Sequence, residues 1–399
     1  MKKLLPALLA CSVSVFFAGC SSDDAAASSQ NSSEPVSSQT VLKDQWAGSW
    51  DNKKVSPAWK KSAVLSTMEA VADWQIEHPS RHAQNDWTQA TGYLGFLALS
   101  EISRDPVYEQ LIRDRCDEMK WQLARNYYHA DNQCVAQVYL FFYEKDKNPA
   151  MIAPTMERFD QILAKPITRG LEHQEPGYLN HRWSWCDSLF MAPPAWLKLG
   201  LLTGNNQYIE FMDKEWKATT DYLYDKDENL FFRDSRFFDK REPNGAKIFW
   251  SRGNGWVMGG LVGILKIMPK DSPLRPYYEK QYKEMAAKIL SIQQSSGFWS
   301  TSLLDSSRVS IPETSGTGFY CYTLAWGINN GLLPKAKYEP AVKRSWEALV
   351  SCVQTNGKLT HVQPIAADPF KFNENATEIY GVGAFLLAGS EIYKMAESE

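Results

Sequence analysis

From about residue 55 onward, apolar side chains recur three and four positions apart almost without a break. In one set of segments the recurrence is one-sided. Val64, Met68 and Val71 follow Ser56-Pro57, Leu111 and Met119 follow Asp105-Pro106, and Tyr208, Phe211, Met212 and Trp216 follow Asn205. The stripe returns over 148–164, after Ser272-Pro273 (Tyr278, Tyr282, Met285, Ile289) and near Ala336 (Val342, Trp346, Leu349, Val353). A Ser, Asp or Asn ahead of a stripe reads as an N-cap, and a proline beside it as a first-turn residue. The pattern predicts six surface helices, each with one wet face.

Six further segments lie between these. They begin near Trp87, Asp131, Asp187, Gly253, Ser315 and Thr377, carry little charge on any side and are rich in Gly and Ala. A helix that is apolar all round is a buried helix. Only Leu230 to Phe238 shows any competing strand character. Outer and inner helices thus alternate as six hairpins, and repeats of this size must stack or close to bury their faces. The expectation is an all-α chain whose residues 46–399 form an (α/α)6 barrel.

The first 45 residues follow a different pattern. Lys2 and Lys3 precede an apolar run, Leu4 to Phe17, that is too short to span a bilayer, and "FAGC" then ends at Cys20. Residues 1–19 read as a lipoprotein signal peptide and Cys20 as the lipidated first residue, the alternative being a plain signal peptide with a chance cysteine. Residues 20–45, rich in Ser and Ala, read as a flexible tether. The expected place is the cell envelope, lipid-anchored at the outer membrane, with no membrane contact beyond that anchor. Cys116, Cys134, Cys186, Cys321 and Cys352 are odd in number and widely spaced. Buried thiols are expected of them rather than a disulfide framework or a zinc site.

Composition changes the picture in two respects. A net charge of −3 leaves no basic stripe for nucleic acid. Aromatic content is 13%, with 15 Trp, and Trp and Tyr line sugar pockets as readily as cores. Their placement says more than their number. Each inner helix is introduced by a polar-aromatic cluster: "NDW" (85–87), "HADNQ" (129–133), "WSWCDS" (183–188), "FWSRGNGW" (249–256), "ETSGTG" (313–318) and "NATEIYG" (375–381). With the inner helices parallel, all six clusters meet at one end of the barrel. Capping explains an Asp, Ser or Thr at each start. It does not explain His129, Trp185, Trp250, Arg252 and Trp256 beside them, and these predict a pocket.

Two acids head successive inner helices. Asp187 is either an N-cap or a carboxyl desolvated among aromatics, with a raised pKa suited to a general acid. Asp131 in "HADNQ", beside Asn132, has the same two readings. Facing one another, the two would be minimal equipment for glycoside chemistry. Arg252, on a Gly-Asn-Gly run between Trp250 and Trp256, is either a fork for a carboxylate or a tie for its loop. His129 and His181 either donate to a sugar or water, or are structural. Thr314 and Ser315 read as caps. The six His are scattered, so neither a metal site nor a cofactor is expected.

"HADNQ", "WCDSLFMAPP", "FWSRGNGWVMGGL", "ETSGTGFYCYTLAWGINNG" and "YGVGAFLLAGSEIYK", in this order, resemble glycoside hydrolase family 105, a relative of family 88. The resemblance covers about residues 60 to 396 and implies the (α/α)6 barrel reached above from the hairpin count. It also implies an activity. The substrate would be an oligosaccharide capped by the 4,5-unsaturated uronic acid that polysaccharide lyases leave at a non-reducing end. An exo-acting enzyme would hydrate its vinyl-ether double bond: Asp187 protonates C4, water adds at C5, and the hemiketal collapses to release the rest of the chain. Asp131 would hold the substrate or its water, and Trp250, Arg252 and Trp256 would contact the sugar, with His129, Asn132, Trp185 and His181 nearby. One departure stands out. Family members carry a His in the region that here reads "LFFRDSRFF", and no His lies between His181 and His361, so Arg233 and Asp234 are the candidates to replace it. The competing readings are an (α/α)6 polysaccharide lyase, an inverting glycosidase and a non-catalytic glycan-binding lipoprotein.

Overall fold

The computed structural model describes residues 55–175 and 182–398. Residues 1–45, expected to be a signal peptide and a tether and including Cys20, lie outside the described residues, as does His181. Six helices form an outer ring: α1 (Lys61–Glu77), α3 (Val107–Glu118), α5 (Ala153–Ala164), α8 (Asn206–Leu223), α10 (Arg275–Ser291) and α12 (Lys335–Ser351). Inside them run α2 (Trp87–Ser100), α4 (Ala136–Asp146), α6 (Ser188–Met191) continued by α7 (Pro193–Thr203), α9 (Ser251–Ile267), α11 (Thr314–Asn329) and α13 (Ile379–Met395). The inner ring closes, with α2 against α4, α4 against α7, α6 and α7 against α9, then α11, α13 and α2 again. This is the (α/α)6 barrel.

Burial follows the sequence pattern. Along α9 and α11 nearly every residue is buried, polar ones included, whereas α8 and α10 bury one stripe each. Small residues let the inner helices approach closely. A Cβ on Gly95 of α2 would come within 2.7 Å of the Gly383 backbone in α13, and one on Gly260 of α9 would meet the Leu189 carbonyl oxygen at 2.0 Å. The five described cysteines are buried free thiols.

Several helices differ from the sequence expectation, among them α10, which opens at Arg275 with Leu274 before it and no side-chain cap. Ser56-Pro57 does not cap α1; the chain stays extended there, and the Ser56 N–H donates to Thr67 Oγ1 at 2.9 Å. The second inner helix is delayed by a 3-10 turn, Ala130–Gln133, that contains Asp131. The third is broken after four residues. Pro193 and Pro194 lack the N–H groups a continuous helix needs, and Gln137 Nε2 satisfies the carbonyls of Phe190 (2.8 Å) and Met191 (3.1 Å) instead. The strand character near residue 230 is a two-residue hairpin, β1 (Tyr224–Asp225) with β2 (Leu230–Phe231).

The two ends of the barrel are built differently. Long connections enter the N termini of the inner helices, such as 224–250 and 352–378, while links at the other end are as short as 204–205. Helix starts meet at the long-loop mouth, where Trp87 stacks on Tyr380 (5.2 Å) and edges onto Trp256 (5.7 Å). Trp256 packs in turn on Phe190 and Phe319, and this aromatic layer floors the mouth. Beneath it, at the opposite end, is a cavity of about 160 Å³ bordered by Leu97, Phe141, Phe190, Pro194, Lys198 and Lys266.

Candidate active site

Asp187 stands directly ahead of α6, but it does not cap that helix. Its backbone is already helical (φ −58°, ψ −30°), and its side chain makes no capping bond. A capping carboxylate works from an extended backbone and accepts an N–H two or three residues on. The Asp187 side chain turns instead toward the mouth wall, where its Oδ2 accepts from Arg233 Nε at 3.1 Å. The residue is 6% exposed. Burial pushes the carboxyl above its usual range, while Arg233, then its own backbone N–H and then Arg252 pull it back. The first turn of the helix serves to hold this acid in a dry place.

Asp131 sits in the 3-10 turn before α4, with 22% of its side chain open to solvent and His129 Nδ1 3.8 Å from its Oδ2. Burial, and next the Asp187 charge, push its pKa up to about 7 against the pull of Arg233. The two acids of the sequence motifs therefore feel one another across one guanidinium. Asp131 thus changes protonation near neutrality, and Asp187 is held above the usual carboxylate range, the direction that proton donation to a substrate requires.

Arg233 joins the helix head to the loop after β2. Its carbonyl accepts the Cys186 N–H at 2.8 Å, and its Nη1 donates to Asp234 Oδ2 at 2.8 Å. Asp234 is fully buried. It also accepts Arg236 Nε at 2.9 Å, Arg236 Nη2 at 2.9 Å and the Arg236 N–H at 3.0 Å. Burial would raise its pKa, but the Arg236 and Arg233 donors outweigh burial and hold it at about 2. Asn254 of α9 pins the approach to this loop, accepting the Phe231 N–H at 2.8 Å and donating to the Phe231 carbonyl at 3.0 Å.

The opposite wall is aromatic, and its arginine is held through both Nη groups. Arg252, read from the sequence as either a fork for a carboxylate or a tie for its loop, is 1% exposed. Its Nη1 donates to the Gln363 carbonyl at 2.6 Å and to Ser315 Oγ at 3.3 Å, and its Nη2 donates to the Pro364 carbonyl at 2.8 Å. The guanidinium lies over both Trp250 (4.5 Å) and Tyr380 (4.9 Å). Its Nη groups thus tie α9 to Ser315 and to the 363–364 segment, and Arg233 is the cation that bonds Asp187. Gly253 and Gly255 lie within α9 rather than on a loop, and there they make room: a Cβ on Gly253 would sit 3.1 Å from Cys186 Sγ.

The remaining candidates divide. Trp185 is buried with its ring 4.6 Å from that of half-buried His129, beside Asp131. Asn132 Oδ1 accepts the Asn126 N–H at 2.7 Å and so braces its loop. Trp250 is buried and donates from Nε1 to Gln363 Oε1 at 2.8 Å, and Trp256 belongs to the floor. Neither indole lies open at the mouth. Thr314 and Ser315 do begin a helix, but its cap is Glu313, which accepts the Ser315 N–H (2.9 Å) and the Gly316 N–H (2.7 Å). Sequence reasoning missed Glu313, Gln363 and the Asp187–Arg233 bond. "RDSR", a dense charge cluster inside an apolar stretch, was the available signal for the last of these. Among the described residues no group of three or more His, Cys, Asp or Glu side chains comes together to hold a metal ion.

Comparison with known proteins places this geometry. A curated relative from Formosa agariphila, "Unsaturated 3S-rhamnoglycuronyl hydrolase", is 39% identical over 347 residues, 84% of this chain and 92% of the relative. A solved "Glycosyl hydrolase family 88 from Bacteroides vulgatus" superposes with a TM-score of 0.77 at 28% identity, covering 84% of this chain and 99% of that one. Another solved chain, named as a polysaccharide lyase, superposes with a TM-score of 0.76 at 30% identity over 84% of this chain and 98% of its own. The model of the family described as "Glycosyl Hydrolase Family 88" matches residues 59–396. With its barrel closed and nearly all of it inside that match, the chain belongs to glycosyl hydrolase family 88 and is a glycoside hydrolase.

Proposed function

We propose that this glycoside hydrolase removes a 4,5-unsaturated uronic acid from the non-reducing end of lyase-generated oligosaccharides by hydrating its vinyl-ether double bond. The substrate class we assign is the unsaturated 3S-rhamnoglycuronyl fragment named for the Formosa agariphila relative. Asp187 donates a proton to C4, water adds at C5 and gives its proton to the Asp187 carboxylate, and the hemiketal opens and releases the remaining sugar. Asp131 orients the water or the ring. Arg233 holds Asp187 Oδ2, leaving the other oxygen for the proton.

The observation that carries this reading is that Asp187, at a helix head, caps nothing and is instead desolvated against one guanidinium. A purely glycan-binding protein has no use for two acids with raised pKa values at its mouth. A solved neighbour is named as a lyase, so the assay is chosen to distinguish the two reactions. One assay separates them. The hydrolase consumes the ultraviolet absorbance of the unsaturated end when given lyase fragments, and a lyase generates that absorbance from intact polymer. Absence of any loss on unsaturated 3S-rhamnoglycuronyl disaccharide and on its unsulfated and galacturonyl counterparts sinks the proposal.

We further propose that Cys20 is acylated and anchors the enzyme in the cell envelope. The "FAGC" end of the apolar run supports it. Cys20→Ala should release the enzyme from the membrane fraction, and unchanged membrane association would remove the anchor.

A further inference from the structure

Behind Asp187 the charges alternate outward: the Asp187 carboxyl, the Arg233 guanidinium, the Asp234 carboxylate, the Arg236 guanidinium and, last, Glu175, whose Oε1 accepts from Arg236 Nη1 at 2.9 Å. The chain of bonds runs from a buried acid to a surface carboxylate. Asp234 is buried without exposure, and Arg236 is about one-third open. A buried carboxylate that takes four donors from two arginines fixes the plane of each guanidinium. With Nη1 committed to Asp234, Arg233 can present only its Nε edge to Asp187.

We propose that Asp234 and Arg236, neither of which bonds Asp187, are positioning residues that set, through Arg233, how tightly Asp187 holds its proton. This rests on the reading of Asp187 as the proton donor. Arg233 meets Asp187 alone on one side, so whatever neutralises Arg233 weakens its hold on the ionised carboxylate, and whatever neutralises Asp234 restores that hold. Each step outward along the chain therefore reverses sign. Among the described residues, the charged and titratable groups facing Asp187 are Arg233 and Asp234 on the loop after β2, Arg252 on α9, Asp131 on the turn before α4 and its own neighbour Cys186. Among the described residues, Arg233 alone bonds the Asp187 carboxyl through a charged group. His173 Nδ1, 3.9 Å from Asp234 Oδ2, touches the chain of charges from outside.

The test uses the full chain and two readouts. One is kcat/KM against pH on an unsaturated 3S-rhamnoglycuronyl disaccharide. The other is an infrared titration of the Asp187 carboxyl band, assigned by its disappearance in Asp187→Asn. Loss of one adjacent opposite charge moves a carboxyl by about 1–3 pH units, and a charge one step removed by less. Arg233→Gln should move the alkaline limb and the band midpoint upward by about one unit or more, and Arg236→Gln upward by about half a unit. Asp234→Asn should move both downward by about half a unit, because Arg233 then faces Asp187 uncompensated. If Asp234→Asn does not fold, the sign of the shift in Arg236→Gln, at a partly exposed site, decides the matter. A uniform loss of kcat with an unmoved midpoint, or shifts of one sign in all three variants, overturns the inference. Activity retained by Asp187→Asn overturns the reading of the donor instead, and the infrared midpoints still decide whether the chain of charges acts on Asp187.

Discussion

The mouth of the barrel has two walls that carry similar residue types and hold them differently. Ahead of α4, ahead of α6 and on the loop after β2 sit Asp131, Asp187 and Arg233, and on α9, ahead of α11 and on the loop before α13 sit Arg252, Glu313 and Gln363. Glu313 is as buried as Asp187, yet it accepts bonds from Ser315 N–H, Ser315 Oγ, Gly316 N–H and Gln363 N–H. A buried carboxylate with that many donors is a cap and a tie. Asp187 accepts one charged donor and no helix N–H. The two arginines repeat the contrast: both Nη groups of Arg252 are used on carbonyls and a hydroxyl, whereas Arg233 spans two carboxyls, one of them at the mouth. Chemistry is left to the wall whose acids are least satisfied, and shape to the wall whose polar groups are committed.

The largest expected effect breaks the reactive wall. Asp187→Asn should lower turnover on the unsaturated disaccharide by roughly 10²–10⁴-fold, the usual contribution of a general acid-base group. Melting temperature should stay within a few degrees, because no capping bond is lost and the Asn oxygen still accepts from Arg233. Loss of absorbance and thermal unfolding, measured on the same preparation, check both halves. An active variant, or one that only unfolds, returns Asp187 to a structural role.

Arg252→Lys breaks the other wall and should show the opposite split. One ammonium cannot serve the carbonyls of Gln363 and Pro364 and also lie flat between Trp250 and Tyr380. A loss of about 1–3 kcal/mol of stability is expected, read as a fall in melting temperature. The alkaline limb of the pH profile should stay near its wild-type position. A wild-type melting curve together with a raised KM would show that Arg252 reaches the substrate after all.

The difference between the walls was only partly legible in the sequence. Helical period and low charge were enough for the barrel, because burial in such a fold is periodic and local. The head-of-helix acids were visible because capping positions are local too. Which arginine meets which acid was not, since Arg233 and Asp187 are joined across 46 residues and Arg252 reaches Gln363 across 111. The Gly-Asn-Gly run read as a loop because glycine is costly in a helix, and here tertiary approach to Cys186 overrides that cost. The break in the third inner helix was written in Pro193-Pro194. Its consequence, a four-residue helix whose first turn holds a carboxyl instead of being capped by it, depends on Gln137 from another helix.

Asp131→Asn sharpens the comparison through pH rather than through loss. In the fold this carboxyl sits near 7, against about 4 for an unperturbed Asp. A raised folded pKa means that the unfolded chain gives up its proton first. The fold is therefore progressively penalised as pH rises from about 4 to about 7, and by a constant amount above that. The variant has no such proton, so its melting temperature relative to wild type should climb across that window and level off beyond it, while activity falls. A constant difference between the two melting curves from pH 4 to 8 would show that Asp131 is not held protonated by its surroundings.

The smallest effect belongs to Trp250, and it asks whether the braced wall holds its shape by hydrogen bonds or by stacking. The indole lies against the Arg252 guanidinium at 4.5 Å and donates from Nε1 to Gln363 Oε1 at 2.8 Å, so it supports the same segment twice. Phe keeps an aromatic face for Arg252 and removes the donor. The Gln363 side chain still donates to the Asp368 carbonyl at 3.0 Å, so one acceptor is left without a partner rather than a loop left adrift. The expected loss in Trp250→Phe is about 1 kcal/mol, the lower end of what a buried acceptor left without a partner costs, with kcat/KM changed by less than tenfold. Trp250→Leu also removes the ring face, so it should lose more stability than Trp250→Phe and bring the melting temperature down toward that of Arg252→Lys. Unfolding curves of the three variants at one pH make the comparison. Equal losses in Phe and Leu would assign the support to the hydrogen bond alone, and a large drop in kcat/KM for Trp250→Phe at unchanged stability would move Trp250 from the braced wall to the substrate.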